Sequence, residues 1–144
     1  MGFLSLVLVG FILLESANVL ALYFKPDTRN FNSVGVFKAW EESKAHPDIH
    51  NFVRYLVYWV AGTKLIFILL LLVILVSADE NTKVLATAAL VIATASFFWR
   101  LFPLIRKMDR ASQIEPQNYS RVLGLMILGF IVVFVAAILV TVLV

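Results

Sequence analysis

The chain has 144 residues, of which 62% are hydrophobic and 15% charged, with a formal net charge of +3 and no cysteine. A soluble domain carries about 45–50% apolar and about 25% charged residues, so this composition excludes an ordinary soluble domain. The lack of cysteine excludes disulfides, thiolate catalysis and cysteine-ligated metal or iron–sulfur centres.

The apolar residues are concentrated in four runs, at residues 3–24, 52–76, 84–104 and 119–144. Each run has about 20 residues or more, enough for a helix to cross a hydrocarbon core of ~30 Å. The first run lacks the basic residues that precede the apolar core of a signal peptide, so we interpret it as a membrane span. The sequence therefore predicts an all-α protein, a four-transmembrane-helix bundle in a lipid bilayer, with residues 1–144 as a single integral membrane domain.

The first predicted span carries a carboxylate, Glu15, near its middle. Asn18 follows about one helical turn later and shares the same face. Charged residues inside membrane spans are rare and usually face the interior of a bundle or a water-filled cavity. These two residues are therefore the first candidates for a polar site.

The segment at residues 25–51 is the longest between two predicted spans. It begins with a turn-forming stretch that includes Asp27, and we predict a short amphipathic helix from Asn32 or Ser33 to about Lys44. In this interpretation the helix lies at the membrane interface, with Trp40 at headgroup depth. The alternative is a solvated linker.

Two histidines, His46 and His50, flank Asp48 at the end of this segment and resemble a fragment of a metal site. Pro47 lies between them and favours a helix start. The chain has no other histidine and no cysteine. We therefore expect surface histidines at a helix N-terminus, with no metal and no haem or other cofactor.

The second predicted span carries Lys64, the opposite charge to Glu15. Glu15 lies 12 residues after the start of the first span, and Lys64 lies 12 residues before the end of the second. Because the two spans run in opposite directions, both residues lie about 18 Å from the same membrane boundary at ~1.5 Å per residue. Because consecutive antiparallel helices usually pack together, we predict that Glu15 and Lys64 form a salt bridge at matched depth. Arg54, at the start of this span, and Asp27 are further candidates for polar contacts on the cytoplasmic side.

Three interpretations of the predicted pair remain open. The pair could fix the register of two helices as a structural ion bridge. It could line a polar site in which Glu15 binds a proton or cation and Lys64 supplies the counter-charge. It could also hold another membrane chain, because polar residues join helices in lipid.

The third predicted span is rich in small and hydroxylated residues. Ala86, Ala89 and Ala93 recur at helical spacing, as do Thr87 and Thr94. We favour tight helix packing for this face over the alternative, a hydroxyl-lined path past Glu15. Pro103 is expected to end or kink this span.

The fourth predicted span has no charged residue beyond Arg121 at its start. We therefore expect a helix that faces lipid or another subunit.

Basic residues set the predicted topology. Ten of the twelve lie in or beside the two long loops: Lys25, Arg29, Lys38, Lys44 and Arg54 at the first, and Arg100, Arg106, Lys107, Arg110 and Arg121 at the second. Loops rich in lysine and arginine stay in the cytoplasm. We expect a multi-pass cell-membrane protein with both long loops cytoplasmic and both termini outside (N-out/C-out).

The sequence contains no phosphate-binding glycine loop, nucleophile elbow or metal-binding helix pair, so no enzyme is expected. Nucleic-acid binding is not expected either, since topology accounts for the basic loops. The leading hypothesis is a small ion channel or transporter with a polar centre at Glu15, Asn18 and Lys64, as a homo-oligomer or with a partner membrane protein. The alternative is a non-transporting accessory or assembly subunit that binds a membrane partner through the same charges.

Overall fold

The computed structural model describes residues 2–143, and its regular structure is helical. The helices are α1 (Phe3–Phe24), α2 (Lys38–Ser43), α3 (Pro47–Ser77), α4 (Glu80–Ala95), α5 (Leu101–Arg110) and α6 (Tyr119–Leu143), with 3₁₀ turns at Val34–Val36 and Ser96–Phe98. Four helical stretches are long and apolar enough to cross a membrane, namely α1, α3, the α4–α5 stretch Glu80–Arg110, and α6. The four apolar runs are thus confirmed as long helices, and only Val144 of the fourth lies outside the described residues.

The outer surface of these helices is strongly apolar. Large side chains such as Leu13, Ile66, Val76, Ile92 and Leu125 are more than half exposed. Contiguous exposed apolar surface on this scale is unusual for a soluble protein and is typical of one surrounded by lipid.

Local signals explain where the second and third long helices begin. Pro47 occupies the first turn of α3, where its missing N–H breaks no hydrogen bond. The helix starts five residues before the predicted boundary at 52 and runs to Ser77. Asp79 then caps α4, because its carboxylate accepts a hydrogen bond of 2.7 Å from the N–H of Thr82.

In the bundle, α1 packs against α3 and α6, while α6 also packs against α4 and α5. The best-buried core side chains include Leu4 and Leu8 of α1 and Phe134 and Ala137 of α6. One face of α6 is thus buried inside the bundle, while most of its other residues are exposed, as expected for a helix that faces lipid or another subunit. Its glycine and alanine residues allow the close approach that makes this burial favourable.

The third span is interrupted near its C-terminal end. Helix α4 stops at Ala95, the turn Ser96–Phe98 follows, and α5 starts at Leu101. Pro103 lies in the first turn of α5, so the interruption falls about one turn before it. In a helix, a proline ring clashes with the carbonyl group about one turn before it. The predicted break at Pro103 is therefore confirmed.

The small-residue face predicted for α4 packs only in part. Ala89 and Ala93 are exposed, whereas Thr87 and Leu90 are the buried residues of this helix. Thr87 satisfies its hydroxyl group within the helix by donating to the carbonyl of Lys83 at 2.8 Å. Burial thus follows a different face from the one that the alanine spacing predicts.

The two long loops pair with each other at one end of the bundle. The Lys38 N–H donates to the carbonyl of Gln113 at 3.0 Å, and the Glu115 N–H donates to the carbonyl of Val36 at 2.8 Å. Arg29 adds an ion pair of 2.9 Å with Glu115. We call these paired segments, residues 25–46 and 111–118, the loop layer.

The helix predicted from Asn32 or Ser33 starts later, at Lys38, and is only six residues long. Phe31 and Asn32 have φ angles of 56° and 53°, which a right-handed helix does not allow. Trp40 is 4% exposed, and its indole N–H donates to Asp27 at 2.7 Å. The Trp40 ring is therefore packed inside the protein and does not face lipid.

Candidate functional site

The two intramembrane charges meet between α1 and α3. The Nζ atom of Lys64 lies 2.7 Å from Oε2 of Glu15, so the predicted contact is confirmed. The Glu15 side chain is 18% exposed and that of Lys64 is 28% exposed. The pair is thus mostly shielded, but part of each side chain remains accessible.

Asn18 completes the centre on α1. Its side-chain oxygen accepts a hydrogen bond of 2.6 Å from Lys64, and its amide donates to the backbone carbonyls of Phe31 and, at 3.1 Å, Asn32. Asn18 is 5% exposed, so each of these bonds satisfies a buried polar atom. Lys64 therefore contacts both of the other predicted centre residues, Glu15 and Asn18.

The hydrogen bonds continue from the centre into the loop layer. Asn32 accepts a hydrogen bond of 2.5 Å at Oδ1 from the hydroxyl of Tyr119, at the start of α6. Asn32 and Tyr119 are not among the residues that the sequence predicts for the site. The only local signal was that asparagine is one of the few residues that readily adopt positive φ, as Asn32 does here.

A groove of about 540 Å³ opens beside the ion pair. Helices α3 and α4 form its sides, and α1 and α6 lie between them. The lining residues are Phe11, Glu15, Thr63, Lys64, Phe67, Leu90, Ala93, Thr94, Ser96, Phe97, Arg100, Leu101, Ile127 and Phe130. The groove is therefore built by all four long helical stretches.

The groove is mainly apolar, with a few polar groups at defined places. The Thr63 hydroxyl is already engaged, because it donates to the carbonyl of Trp59 at 2.6 Å. The Arg100 guanidinium lies over the Trp99 ring, 5.4 Å from its centroid, near the interruption of the third span. Concave sites that are mostly apolar and carry few polar groups are typical of small-molecule binding. Glu15, Lys64 and Arg100 are the charged groups that a guest in this groove would meet.

The other two candidate residues lie elsewhere. Arg54 is exposed and donates to the Tyr58 hydroxyl at 3.1 Å. Asp27 belongs to the loop layer, where Lys44 lies 2.7 Å away. The hydrogen bond from Lys44, followed by that from Trp40, holds the pKa of Asp27 below its ordinary value. Neither residue contacts the centre.

The histidines lie at the start of α3, as the sequence predicted. His46 precedes the helix, and the ring of His50 packs on Trp40 with centroids 4.9 Å apart. The His50 Nδ1 atom lies 2.8 Å from the Ser43 hydroxyl. Within residues 2–143, no group of three or more histidine, cysteine or acidic side chains is arranged to hold a metal ion.

Comparison of the chain with protein-family models, curated proteins and solved structures found no match.

Proposed function

We propose that this protein is a small transporter or channel of the cell membrane, in which Glu15 binds a proton or a cation. The observation that carries the proposal is that the Glu15–Lys64 pair forms part of the wall of a groove. A pair that served packing alone would not need a groove of about 540 Å³ beside it. Intramembrane ionisable groups that face a cavity commonly mark ion or substrate pathways.

The bonding of the pair supports an exchange mechanism. In the described residues, only one carboxylate oxygen of Glu15, Oε2, is bonded to Lys64. A proton or cation at Glu15 would weaken its attraction to Lys64, whose ammonium group keeps its hydrogen bond to Asn18. Lys64 then supplies a positive charge that competes with the guest for Glu15, which favours release of the guest.

Flux through proteoliposomes tests this proposal. The full chain is reconstituted and assayed with protons and several monovalent and divalent cations, alongside Glu15→Gln and a control variant, Glu42→Gln. Glu42 is exposed in the loop layer and forms no ion pair among the described residues. We expect Glu15→Gln to abolish flux while the circular dichroism spectrum is unchanged, and Glu42→Gln to retain flux. Equal flux in all three proteins would refute the proposal.

The alternative is an accessory or assembly subunit, and the same groove favours it in one respect. Helices α3 and α4 make few contacts with each other, so the groove is open between them. A helix of a membrane partner could enter there and meet Lys64. Co-purification of a stoichiometric partner that is lost in Lys64→Met, with no flux by the purified chain, would establish this function instead.

We also propose that the loop layer faces the cytoplasm. The support is that the two paired loops bring most of the basic residues to one end of the bundle. Because the chain has no cysteine, single cysteines at Gln113 and Asn81 can be labelled in whole cells with a membrane-impermeant maleimide. Labelling at Asn81 but not at Gln113 is expected, and the reverse pattern would invert the topology.

A further inference from the structure

Three arginines converge on a second cavity, separate from the groove at the ion pair. The cavity has a volume of about 310 Å³ and lies where α5, the second long loop and the start of α6 meet. Arg106 and Arg110 of α5 and Arg121 of α6 line it. Its remaining lining is polar.

The local fold explains why these side chains share one cavity. Arg106 and Arg110 are four residues apart and so lie on one face of α5, while Ile105 anchors the helix in the core at 5% exposure. Asp109 holds the start of α6 against α5, since its carboxylate accepts from the backbone N–H groups of Asn118 and Ser120 at 3.1 and 3.0 Å. Ser120 adds a hydroxyl bond of 2.6 Å to the same carboxylate.

Three of the five basic residues in or beside the first long loop have an acidic partner, whereas none of the three arginines in the cavity forms an ion pair among the described residues. Arg29, Lys38 and Lys44 all form ion pairs within 4.0 Å. Among residues 2–143, no carboxylate lies within that distance of the three arginines in the cavity. The tendency of basic residues to lie in cytoplasmic loops explains why this loop is basic, but not why three arginines share one cavity without an acidic partner. Asp109, the single carboxylate in the cavity, already accepts hydrogen bonds from the start of α6.

An apolar groove adjoins the arginines. Its volume is about 340 Å³, and Phe102 and Pro103 line it together with Arg106, Lys107 and Arg110. Arg106 and Arg110 therefore border a polar cavity on one side and an apolar groove on the other. A phospholipid has the matching parts, a charged phosphate and an acyl chain.

We propose that this cavity binds the phosphate of an anionic phospholipid, with the acyl chain in the groove beside Phe102 and Pro103. Guanidinium groups recognise phosphate oxygens with two parallel hydrogen bonds, and three unpaired ones provide more positive charge than a zwitterionic headgroup requires. Basic pockets next to the cytoplasmic ends of membrane helices are suited to anionic headgroups. This site is independent of the proposed transport through Glu15.

Native mass spectrometry of the full chain in neutral detergent tests the proposal. The protein is presented with phosphatidylglycerol and phosphatidylcholine of identical acyl chains, with and without excess inorganic phosphate. The test variant is Arg106→Gln/Arg110→Gln/Arg121→Gln. A control with the same charge change, Lys25→Gln/Arg54→Gln/Lys83→Gln, removes three basic side chains that lie outside the cavity.

We expect the natural chain and the control to prefer phosphatidylglycerol. The test variant should lose at least ~10-fold in that preference, since each basic group that faces the bound phosphate contributes roughly fivefold and the control keeps all three of these groups. If the triple variant does not fold, the single variant Arg106→Gln should show a loss of roughly fivefold by the same reasoning. Equal binding of both lipids by the natural chain, or an unchanged preference in the test variant, would overturn the proposal. Binding of inorganic phosphate as tightly as phosphatidylglycerol would also overturn it, because the acyl chain would then contribute nothing to binding.

Discussion

A double-mutant cycle on Glu15 and Lys64 measures how strongly the two charges depend on each other. The single variants are Glu15→Gln, which removes the charge at nearly constant shape, and Lys64→Met, which removes the ammonium at similar length. The third variant combines both changes. Each single change leaves one charge without its partner in a largely shielded place.

The geometry sets the expected magnitude. At the observed separation of 2.7 Å, the attraction is about 6 kcal/mol for an effective dielectric constant of ~20. Desolvation costs several kcal/mol per ion and offsets most of that gain. Because each side chain keeps partial solvent access, we expect each single variant to lose about 2 kcal/mol, below the ~3–5 kcal/mol of a fully buried pair. The double variant should lie within ~1 kcal/mol of the natural chain, since no unpaired charge remains.

The free energy of unfolding can be measured by titrating the protein in mixed micelles with sodium dodecyl sulfate and following far-ultraviolet circular dichroism. A distant pair, Glu42→Gln with Lys83→Met, serves as the control and should be additive. If the losses from Glu15→Gln and Lys64→Met add within ~0.5 kcal/mol, the two charges are not coupled and the reasoning fails.

Two further predictions concern the loop layer. Gly35→Ala should lower stability by about 1–3 kcal/mol in a thermal unfolding assay, because the added Cβ would overlap the backbone of Asp27. Gly10→Ala is its control, since nothing lies within 4 Å of the added atom; equal effects of the two changes would contradict the packing argument. For Asp27 itself, the folded pKa is below the ordinary value of 3.8, so its stabilisation is present above that pH and is lost as the pH falls through the folded pKa. In a chain whose only tryptophan is Trp40, the fluorescence should therefore change in acid below about pH 3.8, and Asp27→Asn should remove that change; an identical acid transition in the variant would assign it to another group.

The sequence identified the polar centre because the bilayer makes intramembrane charges conspicuous. Glu15 and Lys64 are isolated charges within long apolar runs, and helix geometry alone places them at one depth. Asn18 followed from its spacing along the same helix. These inferences needed only one-dimensional regularities, namely the rise per residue and the adjacency of consecutive helices.

The remainder of the site depends on contacts between distant parts of the chain. The bond from Asn18 to the backbone of Phe31 and Asn32 requires a loop with two consecutive positive φ angles. The pairing of Lys38 with Gln113 joins loops separated by more than 70 residues. No periodic pattern in the sequence encodes either contact. For the same reason, the alanine spacing of α4 did not reveal which face the neighbouring helices cover.

The centre and the loop layer form one hydrogen-bonded structure. Lys64 bonds to Asn18, Asn18 bonds to the backbone of Asn32, and the Asn32 side chain accepts from Tyr119. Asn18 is the link, since it contacts α3 through its oxygen and the loop through its amide. A guest at Glu15 that shifts Lys64 would therefore act on an anchor of the first long loop. The first long loop is also bonded directly to the second long loop. A shift of Lys64 would therefore change how the first loop is attached to α1, while the bonds between the two loops would remain. Movement at the centre can thus reach the loop layer through two residues, without requiring the four long helices to repack.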